Sequence, residues 1–312
     1  MSMSVRSSTA AAAAVLLLAL GCGSTRPGAI LDVKTASALP RSRVSRVIVL
    51  VMENKEESDI IGSPDSPYAN RLAREYGLAA QSYAITHPSL PNYLALTSGS
   101  TQGVSSDCTD CHTAGTNIVD QLEAAHISWK AYMENQPNPC FTGAGSGGYA
   151  KKHNPFIYYD DIAGTARCRK IVGFGQLTSD LRHGRLPRYA WISPNLCDDG
   201  HDCDAATADR FLARTVPLLL RELGSHGFLL LTWDEGSSNN GCCAEKAGGG
   251  RIATILAGPD VRHGGRDNQP VDHYGALGTI EEAFGLAPLG GAADPSSGRL
   301  TSLFTHAPHL AR

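Results

Sequence analysis

The chain has 312 residues, 42% of them apolar, and a formal net charge of -3 at pH 7. That length and apolar content suffice for one large core. The near-neutral balance gives no reason to expect a nucleic-acid or strongly anionic-membrane partner.

The N-terminal stretch reads as an export address. Arg6 precedes an unbroken apolar run from Ala10 to Leu20. At about 11 residues it has the length of a signal core and is too short to span a bilayer. It closes on Leu18-Ala19-Leu20-Gly21-Cys22, which resembles a bacterial lipoprotein signal with Cys22 as the lipidated residue. Ordinary signal cleavage is the alternative, and both imply export to the cell surface or the medium. Residues 1–22 are therefore expected as leader, 23–44 as a tether and 45–312 as a single domain. No later apolar run is long enough for a membrane helix, so membrane contact is expected only through Cys22. Setting Cys22 aside leaves eight cysteines, an even number that suits disulfides in an oxidising compartment. Local pairing is the simplest expectation: Cys108 with Cys111, Cys140 with Cys168, Cys197 with Cys203. A zinc site beginning at Cys108-Thr109-Asp110-Cys111 lacks a second Cys-x-x-Cys.

Past the tether, Val47 to Met52 is a continuous apolar run, the pattern of a strand buried on both faces. A helix is predicted over Pro67 to Tyr76 and a strand over Ala79 to Ile85. Ile118 to Ala125 reads as a helix and Ser128 to Met133 as a strand. A Gly-, Pro- and Asn-rich loop follows from Gln136 to His153. Tyr189 to Ile192 is a short strand, and Ala205 to Leu223 a long helix that Pro217 should kink. Phe228 to Trp233 and Ile252 to Leu256 are further strands, and Tyr274 to Phe284 a closing amphipathic helix. Such alternation predicts a three-layer α/β/α sandwich around a mostly parallel sheet. Trp129, Trp191 and Trp233, in or beside strands, belong to its core.

Ligands of such sheets bind beyond the carboxyl ends of the strands, and the polar motifs fall there. Glu53 and Asn54 follow the first strand, and Asp234 and Glu235 follow Trp233. Ser193-Pro194-Asn195 leads on to Asp198-Asp199-Gly200-His201. After the second strand comes Thr86-His87-Pro88-Ser89-Leu90-Pro91-Asn92-Tyr93, a Pro-bracketed turn at a helix start. Ser89 fits the cap region there, where free N–H groups and the helix dipole favour an anion. Asn92 can point its amide at the same anion. Alone, this turn fits an ordinary cap as well as a nucleophile. Joined by hard oxygen donors from other strand ends, it fits a divalent metal site, magnesium or calcium before zinc.

With Tyr149 to Phe156, Gly200-His201-Asp202 and His273-Tyr274, these segments resemble the bacterial phosphoesterase family. The resemblance is to its acid phosphatase and phospholipase C branch, related to alkaline phosphatases. It implies an alkaline-phosphatase-like fold and an exported hydrolase of small-molecule or lipid phosphomonoesters, phosphoinositide among them, working through a phosphoserine. Ser89 would be the nucleophile, with Glu53, Asn54, Asp234 and Glu235 as metal ligands. His153 and His201 would contact phosphate or donate a proton, and a Cys197–Cys203 bond would hold His201 in place. His273 is a candidate substrate contact with an equally good reading as a structural hydrogen bonder. A phospholipase C-type phosphodiesterase is the rival within the family. A sulfatase would need Arg where Tyr93 stands. A non-catalytic surface lipoprotein would lack the nucleophile or the metal pair, and neither is missing.

Overall fold

The structure is a computed structural model that describes Met1, residues 42–243 and residues 248–310. The expected leader, Cys22 and nearly all of the tether lie outside the described residues. In chain order the elements are β1 (Val47–Met52), α1 (Glu57–Ile60), α2 (Pro67–Glu75), β2 (Gly77–Tyr83), α3 (Ser89–Ser98) and α4 (Ile118–Ala124). Then come β3 (Trp129–Met133), β4 (Gly145–Ser146), β5 (Tyr149–Ala150), β6 (Ile171–Gly173), α5 (Phe174–Arg182) and β7 (Tyr189–Ser193). The last are α6 (Ala205–Arg221), β8 (Phe228–Trp233), β9 (Arg251–Ala257), β10 (Arg266–Asp267), β11 (Val271–Asp272) and α7 (His273–Phe284).

The apolar run at the start of the domain becomes the middle of the sheet. Strands lie in the order β10-β2-β9-β8-β1-β7-β3-β6, with β11 also on β2. β1 runs parallel to both neighbours, β7 and β8, and only β9 is antiparallel to the strands beside it. Every β1 side chain is buried. Val47, Val49 and Val51 enter a core shared with α3, α4 and α7. Ile48, Leu50 and Met52 enter a second core shared with α2, α5 and α6. Burial of each such side chain is worth about 1.5–3 kcal/mol, so a strand with no polar face holds both helical layers. The three-layer sandwich follows, and the three tryptophans lie in its core.

Some elements differ from the sequence expectation. β2 begins and ends two residues earlier than predicted, which leaves Ala84 to Pro88 as the turn before Ser89. β6 and α5 were not foreseen: β6 has three residues, and α5 contains Gly175, Thr178 and Ser179, which dilute its Leu177–Leu181 stripe. The stretch predicted as one loop contains the small β4–β5 hairpin. α6 continues across Pro217. The three local disulfides are formed, and Cys242 is bonded to Cys243. Cys108 and Cys111 are therefore not zinc ligands. Among the described residues no helix is long and apolar enough to cross a membrane.

Glu281, in the last turn of α7, is buried. One of its oxygens accepts the Leu289 N–H at 2.9 Å, the other has no partner, and burial pushes its carboxyl up to about 8. The folded state thus keeps a proton that the unfolded chain, with an ordinary value of 4.5, releases. Stability from this group is complete below that ordinary value and is lost as pH rises through about 8. Thermal melts at pH 5 and pH 8 should therefore show a larger drop for the wild type than for Glu281→Gln.

Candidate active site

Four strand ends deliver the polar groups. Glu53 leaves the end of β1, and Asn54 turns the chain in a left-handed conformation (φ 53°) that Asn tolerates well. Its backbone N–H, not its side chain, meets the second carboxylate pair, donating to Asp234 Oδ1 at 3.0 Å. Asp234 and Glu235 leave β8. Asp199 and His201 lie in the turn after β7, separated by Gly200 at φ 93°. Ser89 opens α3.

Ser89 is not the helix cap. It is the first helical residue, after Pro88 at the cap position, and its hydroxyl lies 3.1 Å from Glu53 Oε2 and 3.3 Å from Glu235 Oε1. The N–H of Leu90, next in the helix, is taken by Asp107 Oδ1 at 3.0 Å. The expected use of this helix start by a substrate anion therefore meets a carboxylate already in place at that amide.

Asn92 does not face the anion site. Its Oδ1 accepts the N–H groups of Ile85 and Thr86 at 3.0 and 3.1 Å. Its amide donates to the carbonyls of Thr86 and Pro88 at 2.7 and 3.2 Å. With all of these engaged and the residue buried, Asn92 clamps the turn that aims Ser89. His273, first residue of α7, likewise donates from Nε2 to the Asp234 carbonyl at 2.6 Å, and burial pushes its imidazole down to about 4. It holds the backbone of a site residue and does not reach into the site.

Glu53 is the hub. Tyr93, at the position a sulfatase would give to Arg, donates its hydroxyl to Glu53 Oε1. His153 Nε2 lies 3.2 Å from Glu53 Oε2 without a hydrogen bond, while its Nδ1 is 3.1 Å from Asp199 Oδ2. Burial, then Asp234 and Asp199, push the Glu53 carboxyl well above the usual range. Burial does the same to Asp199, and burial with Asp234 raises Glu235 to about 7. Burial drives the His153 imidazole down to about 3. Glu235 is paired with His87, whose other ring nitrogen meets the Ser238 carbonyl at 3.0 Å.

A bound cation is what this arrangement asks for. Buried carboxylates are stable when paired or coordinated, yet Asp234 Oδ2 and His153 Nε2 are both sealed and unpartnered. Ligand atoms of Glu53, His153 and His201 lie within 4.8 Å of one another. The orphaned atoms and the mixed oxygen and nitrogen donors fit a divalent metal.

Sequence reasoning missed Asp199, Asp107, Lys152 and His87. Asp199 and His87 were visible beside the chosen residues, but nothing in their spacing said which atoms they would meet. Lys55, Glu56 and Glu57 support the rim: Glu56 accepts the N–H groups of Ser237, Ser238 and Arg251. The Cys197–Cys203 bond brackets His201 as expected.

This α/β sandwich is the fold of structures solved in the alkaline phosphatase superfamily. A solved structure from that superfamily, from Vibrio parahaemolyticus, superposes with a TM-score of 0.56 at 14% identity, covering 83% of this chain and 70% of that one. A phosphonate monoester hydrolase from Silicibacter pomeroyi gives 0.53 at 11% identity, covering 86% and 78%. The Phosphoesterase family model matches residues 62–287, and the chain belongs to this family. It is 33% identical to a phosphatidylinositol-3-phosphatase of Mycobacterium tuberculosis, over 83% of this chain and 82% of the relative. It is 32% identical to a phosphate-repressible acid phosphatase of Penicillium chrysogenum, over 88% and 70%. The protein is a hydrolase acting on phosphoric ester bonds.

Removing the Asn92 side chain strands four partly buried backbone groups. Asn92→Ala should cost about 2–4 kcal/mol in a urea melt and lower turnover by loosening the Ser89 turn.

Proposed function

We propose that the protein is an exported acid phosphatase that hydrolyses phosphomonoesters, small or lipidic, through a phosphoserine at Ser89. The observation that carries this reading is the Ser89 hydroxyl, held between Glu53 and Glu235 at the convergence of four strand ends. Relatives named acid phosphatase and phosphatidylinositol-3-phosphatase support the reaction class. The disulfides support an oxidising destination, with lipidation at Cys22 as the proposed anchor.

Glu53, Asp234 and Glu235 would hold a divalent metal, with the carbonyl oxygen of the Asn54 side chain and the imidazoles of His153 and His201 within the same rim. Such an ion lowers the pKa of a bound hydroxyl and neutralises phosphoryl charge. The expectation of magnesium or calcium rested on oxygen donors alone. Imidazole nitrogens in the cluster bring zinc and manganese into equal consideration. Glu53 or Glu235 takes the Ser89 proton as the oxygen attacks phosphorus and the ester oxygen leaves. His201, less buried than His153, donates from Nδ1 to Asp202 at 2.7 Å and accepts from the Lys152 ammonium at Nε2, so the leaving oxygen takes its proton from solvent. Water then cleaves the phosphoserine and releases phosphate.

Ser89→Ala should lower hydrolysis of p-nitrophenyl phosphate by a factor on the order of a thousand or more; turnover at the wild-type rate would refute the nucleophile. Chelation should abolish activity, and readdition of magnesium, calcium, manganese and zinc in parallel identifies the ion. Asp199→Asn, which loosens His153, should weaken metal binding by roughly 10–100-fold in a competitive chelator titration.

A further inference from the structure

Lys152 stands directly before His153, in the helical turn Lys151–His153. Its Nζ lies 2.9 Å from Asp107 Oδ2 and 3.1 Å from His201 Nε2. The other Asp107 oxygen is the one that accepts the Leu90 N–H, the amide adjacent to Ser89. A single carboxylate therefore fixes the ammonium between the nucleophile turn and His201. Its neighbour Lys151 is directed elsewhere, onto the Thr109 carbonyl and the Tyr158 ring.

This corner is also the open one. The side chains of Lys152, Asp107 and His201 are 22%, 26% and 26% exposed, whereas those of Glu53 and Asp199 are 0% and 1% exposed. An ammonium has three N–H donors, and two are engaged here.

We propose that Lys152 recognises the second negative charge of a phosphomonoester and thereby sets this site for monoesters over diesters. The inference rests on the reading of Ser89 as the attacking group. Near neutral pH a phosphomonoester approaches two negative charges, and its phosphoryl group has three acceptor oxygens. A diester carries one charge, and an ester oxygen replaces one of those acceptors. The free N–H of Lys152 donates to a non-bridging oxygen that only the monoester has in charged form. No covalent bond changes; the ammonium moves from bridging Asp107 and His201 to include the substrate.

The test compares kcat/KM for p-nitrophenyl phosphate and bis(p-nitrophenyl) phosphate at pH 7 in metal-loaded wild type, Lys152→Gln, Lys152→Arg and Ser89→Ala. Lys152→Gln should lose about 10–100-fold on the monoester and less than about threefold on the diester. Lys152→Arg, which keeps the charge, should recover most of the monoester rate. The dissociation constant of inorganic phosphate by calorimetry should rise in parallel with the monoester loss. Lys152→Met serves the same comparison if the Gln variant is unstable. Equal losses on both esters, or none on the monoester, would overturn the assignment. Ser89→Ala separates the two readings: if it silences both esters while Lys152→Gln is unselective, only the role of Lys152 fails. If Ser89→Ala stays active, the nucleophile itself is wrong.

Discussion

Glu53, Asp199, Asp234 and Glu235 are four carboxylates buried at the ends of three strands, and their mutual repulsion is the constraint around which this end of the molecule is organised. Charges removed from water are tolerated only when opposite charge or strong donors replace the solvent. The surrounding groups supply part of that. Tyr93 donates to Glu53, the Asn54 N–H to Asp234, the His201 N–H to Asp199, and His87 pairs with Glu235. None of these places a full positive charge at the centre. The raised carboxyls of Glu53, Asp199 and Glu235 are the electrostatic imprint of that deficit.

The fold makes this concentration of charge possible. β1 is apolar on both faces, so it must lie centrally, and its parallel neighbours β7 and β8 end on the same edge. Three acidic turns are thereby stacked side by side before any side chain is chosen. The antiparallel β9 returns its first residue, Arg251, to the same rim, where Glu56 ties it to the loop after Glu235. Two cores, one on each side of the sheet, prevent the strands from relaxing apart in response to the repulsion.

Much of the architecture was legible in the sequence because apolar runs without alternation admit few positions in a sheet. Ser89, Glu53, Asp234 and His201 were legible as chemistry-bearing groups at strand ends. Their exact roles were less so. Asn92 looked like an anion donor and proved to be a clamp, because its short amide meets the backbone of its own turn before it can reach anything else. His273 looked equally like substrate contact and support, and its bond to the Asp234 carbonyl settles it as support. His153 looked like an acid or a phosphate contact, and its ring lies buried between Asp199 and Glu53. Short elements such as β6 escaped because three residues carry no period.

By itself, the chain order determined which residue types would leave each strand and that the strands would be buried, since hydrophobic patterning is local. It also determined the Cys108–Cys111 and Cys197–Cys203 pairings, because cysteines a few residues apart meet in almost any compact loop. Only the tertiary structure decided which atoms face each other: that Asp199 orients His153, that Asp107 occupies the α3 amide, and that Lys152 bridges Asp107 to His201. Those contacts span tens of residues and depend on sheet order and strand register. Neither is encoded in the spacing of any single motif.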